Sequence, residues 1–95
     1  MTGTTKRGIQ KKTYKFTNLA QYTTHTYYLS VTNAWSTAGI PSGAEILSAT
    51  IRGWSGLGNT VNIGFDGDKN MYVFYQSGTT ITSSSYITVQ IVYLD

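Results

Sequence analysis

The chain has 95 residues, no cysteine, a formal net charge of +3 and only 12% charged residues. This length suits a single domain, and without cysteine the chain has no disulfide bond and no cysteine-ligated zinc site. Ser and Thr supply about a quarter of the residues and Tyr occurs 8 times, whereas Glu, Leu and Ala are sparse. Because β-branched and aromatic residues favour strands, the composition predicts an all-β fold.

The first residues carry most of the positive charge. Five of the seven basic side chains lie within residues 1–15, which predicts a basic N-terminal arm before a domain at residues 16–95. This segment has no apolar stretch of the kind found in secretory signals. Basic arms can bind nucleic acid, but the rest of the chain has no basic stripe to extend such a contact, so we expect no nucleic-acid partner. No apolar run approaches the ~18 residues of a membrane span, and no membrane insertion is expected.

Three strands are predicted in the first half of the chain. Alternation of apolar and polar residues with period two predicts those at residues 12–16 and 45–54, and a run of β-branched and aromatic residues predicts the one at 22–31. In the third strand, Leu47, Ala49 and Ile51 are expected to share one face. The segment 33–44 contains two glycines and the only proline, so it is predicted to be a loop, from which Ile40 is expected to enter the core.

The second half shows the same alternation more regularly. Strands are predicted at residues 61–65, 71–76 and 86–94. Ile87, Val89, Ile91 and Tyr93 are expected to face inward from the last of them. From residue 55 onward, turns recur every 8–12 residues, a spacing typical of a single antiparallel β-sandwich or a jelly-roll-like domain.

The stretch FDGDKNM places Asp66, Asp68 and Asn70 at the spacing that begins a calcium-binding loop. The rest of that motif is missing, because Met71 stands where the loop needs Gly and Ser77 where it needs Glu. Asp-Gly is also a strong hairpin signal, since Gly accepts positive φ. We therefore expect a hairpin and no metal or other cofactor, with an exposed acidic tip that can contact a ligand.

Catalytic groups are scarce. His25 is the only histidine and has no carboxylate or cysteine near it in sequence, although general-base chemistry needs an orienting partner. Asp66 and Asp68, on the predicted hairpin tip, are poor candidates for the two fixed carboxylates of a glycosidase. The sequence therefore predicts a protein that is not an enzyme and has no catalytic residues.

Aromatic residues make up 14% of the chain, more than one small core can hold. Tyr and Trp combined with Asn, Ser, Thr and Gly are typical of binding surfaces, where rigid rings stack and small polar groups form hydrogen bonds. The segment 54–59 is the first choice for such a surface, although Trp54 could instead close one end of the core. The predicted ligand-binding residues are Trp54, Asn59, Asp66, Asp68, Asn70 and Tyr72.

The second half of the chain contains the stretches IPSGAEILSATIRGWSG, NTVNIGFD and NMYVFYQSGTTITSSSYITVQIVYLD. Together, over residues 40–95, they resemble the C-terminal head or tip domains of bacteriophage tail fibres and related receptor-binding proteins. The shared features are a Pro-Gly entry before a strand of the form I-SATI-GW, short strands separated by Gly, Ser and Asn turns, and a final strand of the form YITVQIVYL.

This resemblance implies a non-catalytic phage structural protein located in the virion, on a tail fibre or the particle surface. It implies a homotrimer whose distal loops bind a bacterial surface receptor, a glycan or a protein, and which contacts other virion proteins. Only about forty residues precede the matching part, so the chain is expected to be either an excised tip or a small stand-alone virion protein. The alternative function is a capsid fibre, decoration or trimerisation module without a specific ligand.

Overall fold

The structure is a computed structural model that describes residues 8–95. The described part contains six strands, a 3-10 helix at Leu19–Tyr22 and one short α-helix. In chain order these elements are β1 (Ile9–Phe16), β2 (Tyr28–Val31), α1 (Ala34–Ala38), β3 (Glu45–Ser55), β4 (Val61–Phe65), β5 (Met71–Tyr75) and β6 (Tyr86–Leu94). The predicted basic arm falls partly outside the described residues, and its described part contains most of β1.

The strands form two three-stranded antiparallel sheets. The first sheet has the order β1-β6-β3 and the second has the order β2-β5-β4. The protein is therefore mostly β, as the composition predicts. Strands β4, β5 and β6 lie within one residue of their predicted bounds, because each has a regular alternation between clear turns.

One apolar cluster joins the inner faces of both sheets. From β6 in the first sheet it takes Ile87, Val89, Ile91 and Tyr93, all of which are buried as predicted. From the second sheet it takes Leu29 and Val31 of β2 and Met71, Val73 and Tyr75 of β5. Because side chains alternate along a strand, the residues between these in the second sheet face away from the core.

The predicted strand at 22–31 is wrong over most of its length. Only Tyr28–Val31 forms a strand, and the preceding chain forms the 3-10 helix Leu19–Tyr22 and a loop. A single antiparallel bridge between Thr23 and Leu29 closes that loop. Strand propensity gave the wrong prediction here because β-branched residues favour a strand only where a neighbouring strand packs against them.

The predicted loop at 33–44 contains the helix Ala34–Ala38. Ala34 and Ala38 are buried, and Gly39 ends the helix with φ 80°, a left-handed conformation that Gly adopts without steric cost. Ile40, directly after it, is 4% exposed, which confirms its predicted place in the core.

Leu47 does not share the inward face of β3, and that prediction is wrong. The register with β6 shifts between Ile46 and Ser48, so Leu47 is the extra residue of a β-bulge and is 46% exposed. Ile46 takes its place and packs against the core, followed by Ala49 and Ile51 as expected. A one-residue bulge reverses which side chains face inward, and a period-two pattern contains no sign of it.

Candidate functional site

Strands β4 and β5 are joined by a tight hairpin whose loop, residues 66–70, is organised by Asp66. One carboxylate oxygen, Oδ1, accepts hydrogen bonds from the backbone N–H groups of Asp68 at 2.9 Å and Asn70 at 3.0 Å. The other, Oδ2, accepts one from the Asn70 side-chain amide at 3.1 Å. The backbone N–H of Asp66 donates to the Asn70 carbonyl at 3.2 Å and closes the loop. The hairpin expected from FDGDKNM is confirmed, and both oxygens of its first carboxylate are used within it.

These contacts also set the ionisation of the loop. The backbone N–H of Asn70 is the main cause that lowers the pKa of Asp66 below its ordinary value of 3.8, and burial partly opposes it. The pKa of Tyr72 is raised, first by the negative charge of Asp66 and then by a hydrogen bond to that carboxylate. Asp66, Asn70 and Tyr72, predicted together as ligand-binding residues, are therefore joined in one network at this end of the second sheet.

The hairpin uses a different residue for its positive φ from the one the sequence suggests. Lys69 has φ 66°, whereas Gly67 is not among the residues with positive φ. Placing Lys69 in the left-handed region costs free energy for a non-glycine residue. The bonds to Asp66 hold the turn in that conformation.

A cavity of about 340 Å³ lies between this hairpin loop and the segment around α1. We call it the loop pocket. Its lining residues are Asn33, Trp35, Ser36, Ile40, Ser42, Asp68 and Lys69. The backbone N–H of Asn33 donates to Asn70 Oδ1 at 3.1 Å and that of Trp35 to the Lys69 carbonyl at 3.5 Å, so the two walls are tied together.

Asn59 lies at the opposite end of the second sheet, because it precedes β4 whereas the hairpin loop follows it. The five residues of β4 separate the two ends, which is roughly 16 Å at 3.3 Å per residue. Trp54 lies near the end of β3 in the first sheet. Trp54 Nε1 donates to the Gly58 carbonyl at 2.9 Å, and the Asn59 N–H donates to Gln76 Oε1 at 2.9 Å. The six predicted ligand-binding residues therefore form two separate groups.

The outer face of the second sheet carries a continuous group of rings, which we call the aromatic surface. Its members are His25, Tyr27, Tyr28, Tyr72 and Phe74. The His25 and Tyr28 rings stack with centroids 4.2 Å apart, and Tyr28 lies 6.1 Å from Tyr72 and 5.8 Å from Phe74. Tyr27 is 53% exposed, Phe74 is 42% exposed and His25 is also exposed, whereas Tyr28 and Tyr72 are half-buried.

Backbone pairing places small polar residues beside these rings. Tyr28, Phe74 and Asn62 form one row across the three strands, and Ser30, Tyr72 and Gly64 form the next. A shallow depression of about 160 Å³ next to Phe74 is lined by Thr60, Val61, Asn62 and Tyr75. The Phe74 ring lies close to Gly64, since a Cβ at Gly64 would be 3.9 Å from the ring, an ordinary van der Waals distance.

The segment that carries His25 and Tyr27 is fixed to β5. The Tyr75 hydroxyl donates to the His25 carbonyl at 2.8 Å, and the Tyr75 N–H donates to the Tyr27 carbonyl at 2.9 Å. Gly78 N–H donates to the Thr26 carbonyl at 3.3 Å. Hydrogen bonds from Tyr75 and Gly78 to the backbone of residues 25–27 therefore hold the aromatic surface in place, together with ring stacking.

Sequence reasoning found Tyr72 but neither the rest of the aromatic surface nor the loop pocket. Alternation along β5 places Tyr72 and Phe74 on one face, so the sequence could have predicted that these two rings lie together. Tyr28 joins these rings because β2 pairs with β5 in the strand order β2-β5-β4. Local sequence patterns do not encode this order. Trp35 reaches the loop pocket only because a one-turn helix follows β2.

Comparison of the chain with protein-family models, with curated proteins and with solved structures finds no match. Within residues 8–95, no three His, Cys, Asp or Glu side chains are grouped as a metal site would require. None of the helices in that range is long and apolar enough to cross a membrane.

Proposed function

We propose that this protein is a non-catalytic receptor-binding domain of a bacteriophage tail fibre, and that its aromatic surface binds a glycan of the bacterial cell surface. In this proposal the two sheets form a β-sandwich of jelly-roll type, three copies assemble into a fibre tip, and the protein is part of the virion. Three weak sites on one particle would give a much stronger attachment than one site gives.

The observation that carries the proposal is the aromatic surface itself. Exposed rings of this number are unusual on a monomeric domain unless they contact something. Tyr28 and Tyr72 combine a flat apolar face with a hydroxyl group, and rings of this kind contact amphipathic ligands at low cost in side-chain entropy. A sugar ring has the matching chemistry, with an apolar C–H face and hydroxyls at its edge.

The rim of the surface supplies the hydrogen-bonding groups that a sugar needs. Asn62 and Ser30 lie beside Phe74 and Tyr72 in the cross-strand rows, and Thr60 lines the depression next to Phe74. No Lys, Arg, Asp or Glu lies in these two rows, and the Asp66 carboxylate is hydrogen-bonded to Tyr72 at the hairpin end of the surface. Around Phe74 the polar groups are uncharged amides and hydroxyls, which favour an uncharged polyhydroxylated ligand over an ionic one.

The second candidate is a structural module that assembles a fibre or decorates a capsid and binds no specific ligand. The exposure of Tyr27 and Phe74 also favours this structural module, because another copy of the chain or another virion protein could cover both side chains. The two functions differ in what Phe74→Ala does. Loss of a glycan contact leaves the assembly intact, whereas loss of a subunit contact lowers the oligomer mass.

The test is adsorption of the purified, assembled chain to a panel of bacteria and to their extracted envelope polysaccharides. We expect binding that is lost when surface glycans are oxidised with periodate and retained after protease treatment of the cells. Phe74→Ala should weaken binding about fivefold or more, in line with about 1–3 kcal/mol per stacked ring, while the assembly mass stays unchanged.

The matched control is Leu47→Ala, which removes an apolar side chain of similar exposure from the first sheet. It should leave adsorption unchanged. The proposal is wrong if no bacterium in the panel is bound, if protease but not periodate abolishes binding, or if Leu47→Ala and Phe74→Ala have the same effect.

A further inference from the structure

The loop pocket is a second concave site, separate from the aromatic surface. Its volume of about 340 Å³ is at the lower end of the range for small-molecule sites, so it suits a single-ring ligand. Its wall combines an indole ring, an aliphatic side chain, two hydroxyls, an amide and two opposite charges. These groups belong to Trp35, Ile40, Ser36, Ser42, Asn33, Asp68 and Lys69.

Two of the pocket residues have backbone conformations that side chains rarely adopt. Asn33 has φ 55° and Lys69 has φ 66°, and both line the pocket. The Asn33 N–H donates to Asn70 Oδ1, and the Trp35 N–H donates to the Lys69 carbonyl. Strained residues that are kept in place by surrounding contacts often occur at ligand sites.

The charges in the pocket are available to a ligand. The Lys69 ammonium lies 5.4 Å from the centroid of the Trp35 ring, and no ion pair joins Lys69 or Asp68 to another residue in the part of the chain that the structure describes. Trp35 Nε1 is buried and has no acceptor among those residues. A buried donor without an acceptor is costly; solvent does not reach this atom, so it provides no contact for a ligand in the pocket.

We infer that the loop pocket binds one uncharged pyranose unit through two neighbouring hydroxyls. A hydroxyl group can donate a hydrogen bond to the Asp68 carboxylate and accept one from the Lys69 ammonium. Because Asp68 and Lys69 line the same pocket, an acidic sugar that pairs with Lys69 still has its charge close to Asp68, and a cationic amino sugar that pairs with Asp68 still has its charge close to Lys69. The two charges together therefore favour a neutral vicinal diol. The inference goes beyond the proposed function, because it concerns a different site and needs no bacterial receptor.

The test uses the assembled chain carrying Trp54→Phe, which leaves Trp35 as the only tryptophan. Its fluorescence is titrated with the methyl glycosides of glucose, galactose and mannose, with methyl glucuronide and with glucosamine. We expect at least one neutral glycoside to change the emission saturably at millimolar concentration, and to bind at least fivefold more tightly than the two charged sugars.

Asp68→Asn keeps the shape of the side chain and removes its charge. This variant should bind the neutral glycoside about tenfold more weakly, because a charge-assisted hydrogen bond is lost. It should also discriminate less strongly against methyl glucuronide. The matched control is Arg52→Gln, which removes an exposed charge from the other sheet and should change neither value. Thermal unfolding of each variant confirms that the fold is intact.

The inference is overturned if no neutral glycoside changes the Trp35 emission, if a charged sugar binds best, or if Asp68→Asn binds as the parent does. Phe74→Ala separates the two sites. It should weaken adsorption to bacteria and leave glycoside binding in the loop pocket unchanged, so failure of one proposal does not entail failure of the other.

Discussion

Asp66 links the stability of the β4–β5 hairpin to pH. Its pKa is lowered in the folded protein, so its contribution to stability is present above the ordinary value of 3.8 and is lost as pH falls through the folded value. Asp66→Asn should therefore lower the midpoint of thermal unfolding near neutral pH. The difference from the parent should shrink as pH falls below 3.8 and should disappear once the pH is below the pKa of Asp66 in the folded protein. Thermal unfolding of both proteins across this pH range measures the difference in midpoint. A difference that is independent of pH would contradict a stabilising role for the Asp66 charge.

The glycines provide a second prediction at the scale of single residues. Gly58 has φ 82°, and a Cβ there would lie 2.5 Å from Cβ of Gln76, whereas Gly67 has open space and no positive φ. Gly58→Ala should cost roughly 1–3 kcal/mol in free energy of unfolding, and Gly67→Ala no more than about 0.5 kcal/mol. Chemical denaturation measures both. A large loss for Gly67→Ala would mean that the hairpin depends on Gly67, as its sequence suggests, and not on Lys69.

At the scale of elements, the bulge in β3 makes a prediction about which apolar side chains hold the sheets together. Ile91 is 1% exposed in the centre of β6, whereas Leu47 is 46% exposed. Ile91→Ala should cost about 2–5 kcal/mol in free energy of unfolding. Leu47→Ala should change it by less than about 0.5 kcal/mol, since it removes few buried contacts. Equal losses in chemical denaturation would place Leu47 in the core and contradict the bulge.

The elements also show how far the sequence leads. Strands with regular alternation between turn residues, such as β4 and β6, are predicted almost to the residue because local signals and packing agree there. The segment 22–28 has strand propensity but pairs with no strand over most of its length, so propensity misleads. The helix Ala34–Ala38 is one turn long, too short for a helical period to be visible.

The candidate sites were predictable only where their residues are close in sequence. Asp66, Asp68 and Asn70 lie in the hairpin loop that the sequence predicts, and Tyr72 follows two residues later in β5. The aromatic surface combines β2 with β5 and the loop pocket combines α1 with the hairpin loop. These pairings depend on strand order and on loop closure over some forty residues, which short-range patterns do not specify.

The whole molecule is small, lacks disulfide bonds and is only weakly charged. Such a domain buries a modest share of its surface, and assembly is one way in which small domains gain stability. We expect light scattering after size exclusion to give the mass of three chains, with no change on adding calcium, because the oxygens of Asp66 are used within the hairpin. A monomer mass at all concentrations would contradict the fibre-tip proposal and favour a module that orders on its particle.

The most direct test of the central proposal locates the glycan on the molecule. Two-dimensional NMR spectra of the isotope-labelled chain would be recorded with a panel of purified capsular and O-chain oligosaccharides. We expect a bound oligosaccharide to shift the backbone and ring signals of the aromatic surface and the side-chain amide signal of Asn62. The ring residues followed are Tyr27, Tyr28, Tyr72 and Phe74. If every oligosaccharide that binds shifts residues of the first sheet and leaves these signals unchanged, or if none binds at all, the aromatic surface is not a glycan-binding site.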